Sequence, residues 1–401
     1  MEVKGVEMRE YNFDREISRK NTNSLKYDFA AERGCREDAL PLWLADMDFP
    51  TAEPVLEALH NAVSHGIFGY SEVKKPYYDA VFKWYKKHFG WEPKEEWLVK
   101  TPGVVFALVM AIRALTEPGD GVLIQTPVYH PLHSAILDNG RKLVKNELLY
   151  VNGHYEIDFA DFEAKIKENG VKLFILCSPH NPVGRVWTKE ELQRLGEICE
   201  KYGVIVASDE IHCDFTLPAY PHTVFPLACP ALEERTIICT APSKTFNLAG
   251  LQVSNIWIPN EDIRKKILKE IGNCGYSQLN SLGLVAAQAA YEGGEEWLIQ
   301  CRDYLYGNLD FLRSFLKERL PEIKLVEPEG TYFAWLDCST IQPDGEKLRD
   351  FIVNKAKLWL TSGAVFGEAS GCFQRMVLAC TRKTLEEALE RLEKAVKEIR
   401  G

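Results

Sequence analysis

Three polar residues of the chain each stand where an apolar run gives out. Asn181 follows LFILCSPH, Asp209 follows VIVAS, and Lys244 follows TIICTAPS. Taken singly, each has an ordinary reading. Asn181-Pro182 makes a good turn, Asp209 suits a helix N-cap, and Ser243-Lys244-Thr245 suits a surface loop. Taken together they suit one chemistry. A lysine amine condenses with an aldehyde. A carboxylate keeps a pyridine nitrogen protonated, because an opposite charge nearby favours the ionised form. An amide donates to a ring oxygen. These are the demands of pyridoxal 5′-phosphate, which is held as a Schiff base to lysine with a carboxylate beside its ring nitrogen. Tyr129, in TPVYH, is expected to stack on the ring. Gly103-Val104-Val105 opens a helical run whose free N–H groups and dipole attract the phosphate, and Ser243 adds a hydroxyl.

For these side chains to meet, the elements before them must share an edge. Strand-like runs cover 121–125, 143–149, 172–177, 204–207, 236–239 and 253–258, and helical spacing covers 54–65, 76–89, 104–115, 157–168 and 189–202. The alternation predicts a mostly parallel sheet covered by helices on both faces. In such a sheet the carboxyl ends of the strands line one crevice, where ligands bind. Beyond Pro259 the pattern turns helical (262–271, 279–291, 295–320). It then becomes mixed, with strands expected at 331–336 and 374–379 and a last helix at 385–399. The chain therefore reads as an α/β protein in three parts. An N-terminal arm (1–50) joins the small domain, a large cofactor-binding domain spans 51–290, and a smaller α+β domain spans 291–401.

Composition sets limits. The 401 residues are 46% hydrophobic and 26% charged, enough for a packed core, and the formal net charge of −10 argues against nucleic acid or an anionic membrane as partner. No apolar run nears the ~20 residues that cross a bilayer. The opening MEVKGVEMREYNFDRE is charged throughout and lacks the apolar core of a signal peptide. Eleven cysteines without a C-x-x-C pair, several inside apolar runs (Cys177, Cys199, Cys239), read as reduced thiols of a cytoplasmic protein. Of nine histidines only His130 and His133 lie close together, with no acidic or cysteine ligand beside them, so no metal site is expected.

In the order SPHNPVGRVW, ASDEIHCDF, APSKTFNLAG, the motifs make the chain resemble the fold-type I, class I/II aminotransferase superfamily along essentially its whole length. PLWLADMDFP, DEIHCDF, SKTFNLAGLQ and RMVLACTRKTLEEAL resemble more narrowly its cystathionine β-lyase branch, the cysteine-S-conjugate β-lyases. The resemblance implies the aspartate aminotransferase-like fold and a role for each matching residue. Lys244 is the Schiff-base lysine and proton shuttle. Asp209 partners the ring nitrogen, Asn181 the ring oxygen with His212 close by, and Tyr129 stacks. Gly103 and Val104 bind phosphate through their backbone. Arg375 grips the substrate α-carboxylate, which its planar fork matches in two bonds. Ala45 and Asp46 lie along the substrate entrance. Tyr70 crosses to the phosphate of a second copy, which implies a homodimer with shared sites. Two positions depart from the aminotransferase pattern: His212 stands where tyrosine is usual, and Gln252 where an arginine usually meets the phosphate. The implied reaction is β-elimination from sulfur amino acids, giving homocysteine, pyruvate and ammonia from L-cystathionine and other thiols from cysteine S-conjugates. The alternatives are an aminotransferase, which shares every step up to proton removal, and, as the lesser one, a regulatory protein that binds a partner on this fold.

Overall fold

The computed structural model describes residues 9–400, so the first eight residues of the expected arm and Gly401 lie outside the described residues. Seven strands, β1 (Leu98–Thr101), β2 (Gly121–Thr126), β3 (Lys142–Glu147), β4 (Val171–Cys177), β5 (Ile205–Asp209), β6 (Thr236–Thr240) and β7 (Ser254–Trp257), form one sheet in the order β1-β7-β6-β5-β4-β2-β3. Strands β2 to β6 pair in parallel. Only β7 runs against its neighbours, antiparallel to both β6 and β1.

The parallel core follows from its residues. A sheet covered on both faces needs strands that are apolar on both sides. All five residues of β6, TIICT, are buried, and all six of β2, GVLIQT. Burying Ile237 and Ile238 contributes about 1.5–3 kcal/mol each. The helix Lys189–Tyr202 begins in a reciprocal cap. Glu191 N–H donates to Thr188 Oγ1, and Thr188 N–H donates to the Glu191 carboxylate. It stops at Gly203, whose φ of 69° suits glycine at the helix end. Its Leu192, Leu195 and Ile198 pack with Phe174, Leu176 and Val206 of the sheet.

A second, antiparallel sheet, β8 (Lys324–Val326), β9 (Phe333–Asp337), β10 (Thr361–Ser362) and β11 (Phe373–Val377), has the order β8-β9-β11-β10. The helices Glu295–Arg319 and Arg382–Arg400 bring Leu312, Leu316, Leu385 and Leu389 into one core with its Leu336 and Met376. From the N-terminal side, Leu40–Pro41 pairs in parallel with Leu358–Trp359.

The expected strand at 143–149 ends at Glu147, and Leu149–Val151 instead forms a separate hairpin with His154–Glu156. Asn152 and Gly153 turn that hairpin at φ 52° and 83°, the left-handed pair that a two-residue turn demands. Because β1 and β2 to β6 all point one way, their carboxyl ends share an edge. Gly103 follows β1, Tyr129 follows β2, Asn181 follows β4, Asp209 ends β5, and Lys244 follows β6.

Candidate active site

A cavity of about 210 Å³ opens at that edge. Lys244, Asp209, Asn181, His212 and Tyr129 line it. So do Gly103, Val104, Ser243, Gln252 and Ala45. Residues 45 to 253 of the chain thus meet in one space. Arg375 lies just behind, joined to the wall by Asn181. Asp46 does not line this cavity; its carboxylate is held in two bonds by Arg19 (2.7 and 2.9 Å). Tyr70 is 94% exposed, and this chain does not bring it to the site.

Lys244 sits in a one-turn helix, Pro242–Thr245, directly after β6. Its Nζ donates to the carbonyl of Ala45 at 2.7 Å. Burial lowers its amine from 10.5 to about 8; the Asp46 and Asp209 carboxylates oppose that fall, and Arg375 adds to it. The turn is pinned from behind. Thr245 Oγ1 donates to Asp214 (2.6 Å), which also accepts from Trp84 Nε1 (3.0 Å). In the cofactor-free protein, Lys244 is therefore neutral above pH 8, while the same lysine in an unfolded chain stays charged to about 10.5. Reductive methylation with formaldehyde, followed by peptide mass spectrometry at a series of pH values, is expected to show Lys244 becoming reactive with a midpoint near 8, well before the surface lysines. A midpoint at 10 or above would remove the reason for treating it as a base.

Asp209 is buried, and its carboxylate accepts a hydrogen bond from Ile211 N–H at 3.3 Å. Burial pushes its carboxyl up to about 7. A carboxylate so poorly solvated is poised to take a cation beside it. His212 is also buried. Burial, together with the positive Lys244 and Arg375, holds its imidazole well below 6.5, so it is neutral at pH 7, and its Nδ1 has no hydrogen-bond partner.

Asn181 is fixed by its neighbours. Tyr129 N–H donates to its carbonyl (3.0 Å), and the preceding His180 donates from Nε2 to the Pro127 carbonyl (2.9 Å). The two loops that carry Tyr129 and Asn181 are thus tied together. Arg375 Nη1 donates to Asn181 Oδ1 at 2.9 Å, which leaves the amide NH₂ free to donate into the cavity. Arg375 also donates to the Trp43 carbonyl (2.8 Å) and Thr361 Oγ1 (3.3 Å), and its guanidinium lies over Phe333 and Phe366 at 4.4 and 5.0 Å. Trp43, Thr361, Phe333 and Phe366 hold this arginine, and none carries a sequence signal for that task. Two of the contacts are ring faces, and one is a backbone carbonyl.

At the other end of the cavity, the helix Val104–Leu115 presents its first N–H groups with no side-chain cap. Its first internal bond is Ala107 N–H to Gly103. A Cβ on Gly103 would meet no atom within 4 Å, so the space before these N–H groups is open. Uncapped N–H groups facing open space suit a phosphate. A part-buried amine, a buried carboxylate, a free amide and an open helix start on one cavity fit pyridoxal 5′-phosphate. Among the described residues, no group of three or more His, Cys, Asp or Glu is placed to hold a metal ion.

Fold and site together define a pyridoxal 5′-phosphate-dependent enzyme with the aspartate aminotransferase-like fold. Comparison with known proteins gives the family: the chain belongs to the aminotransferases of class I and II, which it matches over residues 41–392. It is 41% identical over 385 residues to the cystathionine beta-lyase PatB of Bacillus subtilis, covering 96% of this chain and 100% of that one. The pyridoxal 5′-phosphate-containing cystalysin of Treponema denticola superposes with a TM-score of 0.94 at 38% identity, over 98% of this chain and 100% of the other. The pyridoxal phosphate-bound C-S lyase of Staphylococcus hominis gives 0.91 at 35%, over 97% and 98%.

Proposed function

We propose that this protein is a pyridoxal 5′-phosphate-dependent carbon–sulfur β-lyase acting on sulfur amino acids. The observation that carries the reading is the convergence of Lys244, Asp209 and Asn181 on one cavity, with Arg375 bound to Asn181. The similarity to a cystathionine β-lyase and to C–S lyases selects elimination among the reactions that such a site supports.

Lys244 would hold the cofactor by its aldehyde carbon. Asp209 would keep the proton on the ring nitrogen, Asn181 would donate to the ring oxygen with His212 nearby, and Tyr129 would cover the ring. The N–H groups of Gly103 and Val104 and the Ser243 hydroxyl would hold the phosphate. When bound, the cofactor supplies an electron sink for the charge left at the substrate Cα. The chain's own groups do the rest. Arg375 orients the substrate by its α-carboxylate, with Ala45 and Asp46 along the entrance. Lys244, with its amine free, would take the Cα proton, a task suited to an amine lowered to about 8. The Cβ–S bond breaks with its electron pair on sulfur, which carries negative charge well, and the thiolate takes a proton. One water is consumed as the remaining three-carbon unit becomes pyruvate and ammonia.

Mixing the purified protein with L-cystathionine should release pyruvate and free thiol in equal amounts with no added acceptor. A requirement for a 2-oxo acid, with the cofactor left in its amine form, would instead establish transamination, the reading the family's description favours next.

We infer a homodimer with sites shared between copies. Ile67, Phe68 and Tyr70, exposed by 73%, 61% and 94%, stand in a segment between the helices Glu53–His65 and Lys75–Phe89, and such a cluster is costly to leave in water. Tyr70 would reach the partner's phosphate. Light scattering should return twice the mass of one chain. Eleven unpaired cysteines fit a cytoplasmic setting, and no described helix is long and apolar enough to cross a membrane.

A further inference from the structure

Among the residues of the motif SKTFNLAG that have no role in the reaction above is a polar one, Asn247, three positions after Lys244. It adopts the left-handed region (φ 56°), and its side chain is fully used. Nδ2 donates to the carbonyls of Met47 (3.0 Å) and Phe49 (2.9 Å), and Oδ1 accepts from Met47 N–H (3.2 Å). A single amide thus grips three backbone groups of a segment some two hundred positions earlier in the chain.

That segment, residues 43–49, has no helix or strand to fix its path. Yet two of its carbonyls meet the two cations of the site. Ala45 accepts from Lys244 Nζ (2.7 Å), and Trp43 accepts from Arg375 Nη2 (2.8 Å). Other contacts hold its outer side. Lys26 and Arg19 pair with Asp48, Arg19 pairs with Asp46, and Asp48 N–H donates to Ala379. Those bonds lead to the N-terminal arm and the small domain. Asn247 ties the segment to the turn that carries Lys244 itself.

We propose that Asn247 is a positioning residue: its side-chain clasp sets residues 43–49 against the Lys244 turn, and through the carbonyls of Ala45 and Trp43 it aligns Lys244 and Arg375 for the substrate. The inference rests on the assignment of Lys244 and Arg375 to the reaction, and is the same whether that reaction is elimination or transamination.

Asn247→Gly separates the clasp from the backbone, because glycine adopts a positive φ without strain and removes all three bonds. The probe is acetate, a carboxylate that Arg375 can hold, titrated into the holoenzyme and read from the change in the cofactor's absorbance. Displacement of the arginine by a fraction of an ångström is expected to weaken acetate about 10-fold, to raise KM by a similar factor, and to leave the cofactor bound. Wild-type acetate affinity in the variant overturns the proposal. So does a loss of affinity accompanied by loss of cofactor, which would mark a collapsed site. Should N247G not fold, the isosteric N247D keeps the acceptor, loses both donors and carries the same test. Acetate binding needs no turnover, so a protein that failed the cystathionine assay would still answer it.

Discussion

Lys244→Ala is expected to abolish pyruvate release from L-cystathionine, with a loss of at least about 10⁴-fold, the upper range for removing one general base. The reason is that the amine has two tasks. In the proposed reaction it would hold the cofactor, and its amine, lowered to about 8 by burial, would take the Cα proton. The other cation at hand, Arg375, stays protonated even though burial lowers it to about 10, and guanidinium is a poor base. Two measurements decide the matter: stopped-time pyruvate assays, and borohydride reduction followed by mass spectrometry, which should label wild type at Lys244 and leave the variant unlabelled. Turnover within a hundredfold of wild type would mean another group removes the proton.

Asp209→Asn should cost about 10³-fold in kcat with little change in KM, on the scale of removing one preorganised electrostatic partner from a dry site. Asparagine keeps the shape and the acceptor for Ile211 N–H, so the fold is preserved. It cannot hold a proton on a ring nitrogen. In the wild-type chain the carboxyl is pushed up to about 7 by burial, a state that a neighbouring cation reverses strongly. The sign for stability follows from linkage. A carboxyl raised from 3.8 to about 7 binds a proton in the folded protein before it does in the unfolded one, so it stabilises the cofactor-free fold below pH 3.8 and loses that contribution as pH climbs through 7. Cofactor-free D209N should lack this dependence in a melting series from pH 4 to 8. Near-normal kcat in D209N would sink the assigned role.

Much of the fold is legible in the sequence, and the reasons are visible residue by residue. TIICT and VKLFILC announce buried strands because a two-sided sheet admits no polar alternation. LVKT, which becomes β1, alternates over only four residues, too short a pattern to stand out. The run 253–258 does form a strand, but its direction against β6 is not written in it, since the side-chain period is two either way. Asn152-Gly153 was a usable hairpin signal lying just past the expected end of the third strand. In the cavity, Lys244, Asp209 and Asn181 were legible because each breaks an apolar run. Their supports were not. Phe333 and Phe366 look like ordinary core residues, and the carbonyls of Trp43 and Ala45 have no side-chain identity at all.

The contacts around the cavity join distant parts of the chain: Lys244 to Ala45 across 199 positions, Arg375 to Asn181 across 194, and Arg375 to Trp43 across 332. A ribosome that has made the amine, the acid and the amide has still to deliver the guanidinium that seats beside the amide. Until that late stretch leaves the exit tunnel, Asn181 Oδ1 has lost its intended donor and the crevice cannot take its final shape. The finished crevice is therefore a property of the whole polypeptide, and a chain ending short of residue 375 is expected to hold a carboxylate such as acetate more weakly than the full chain.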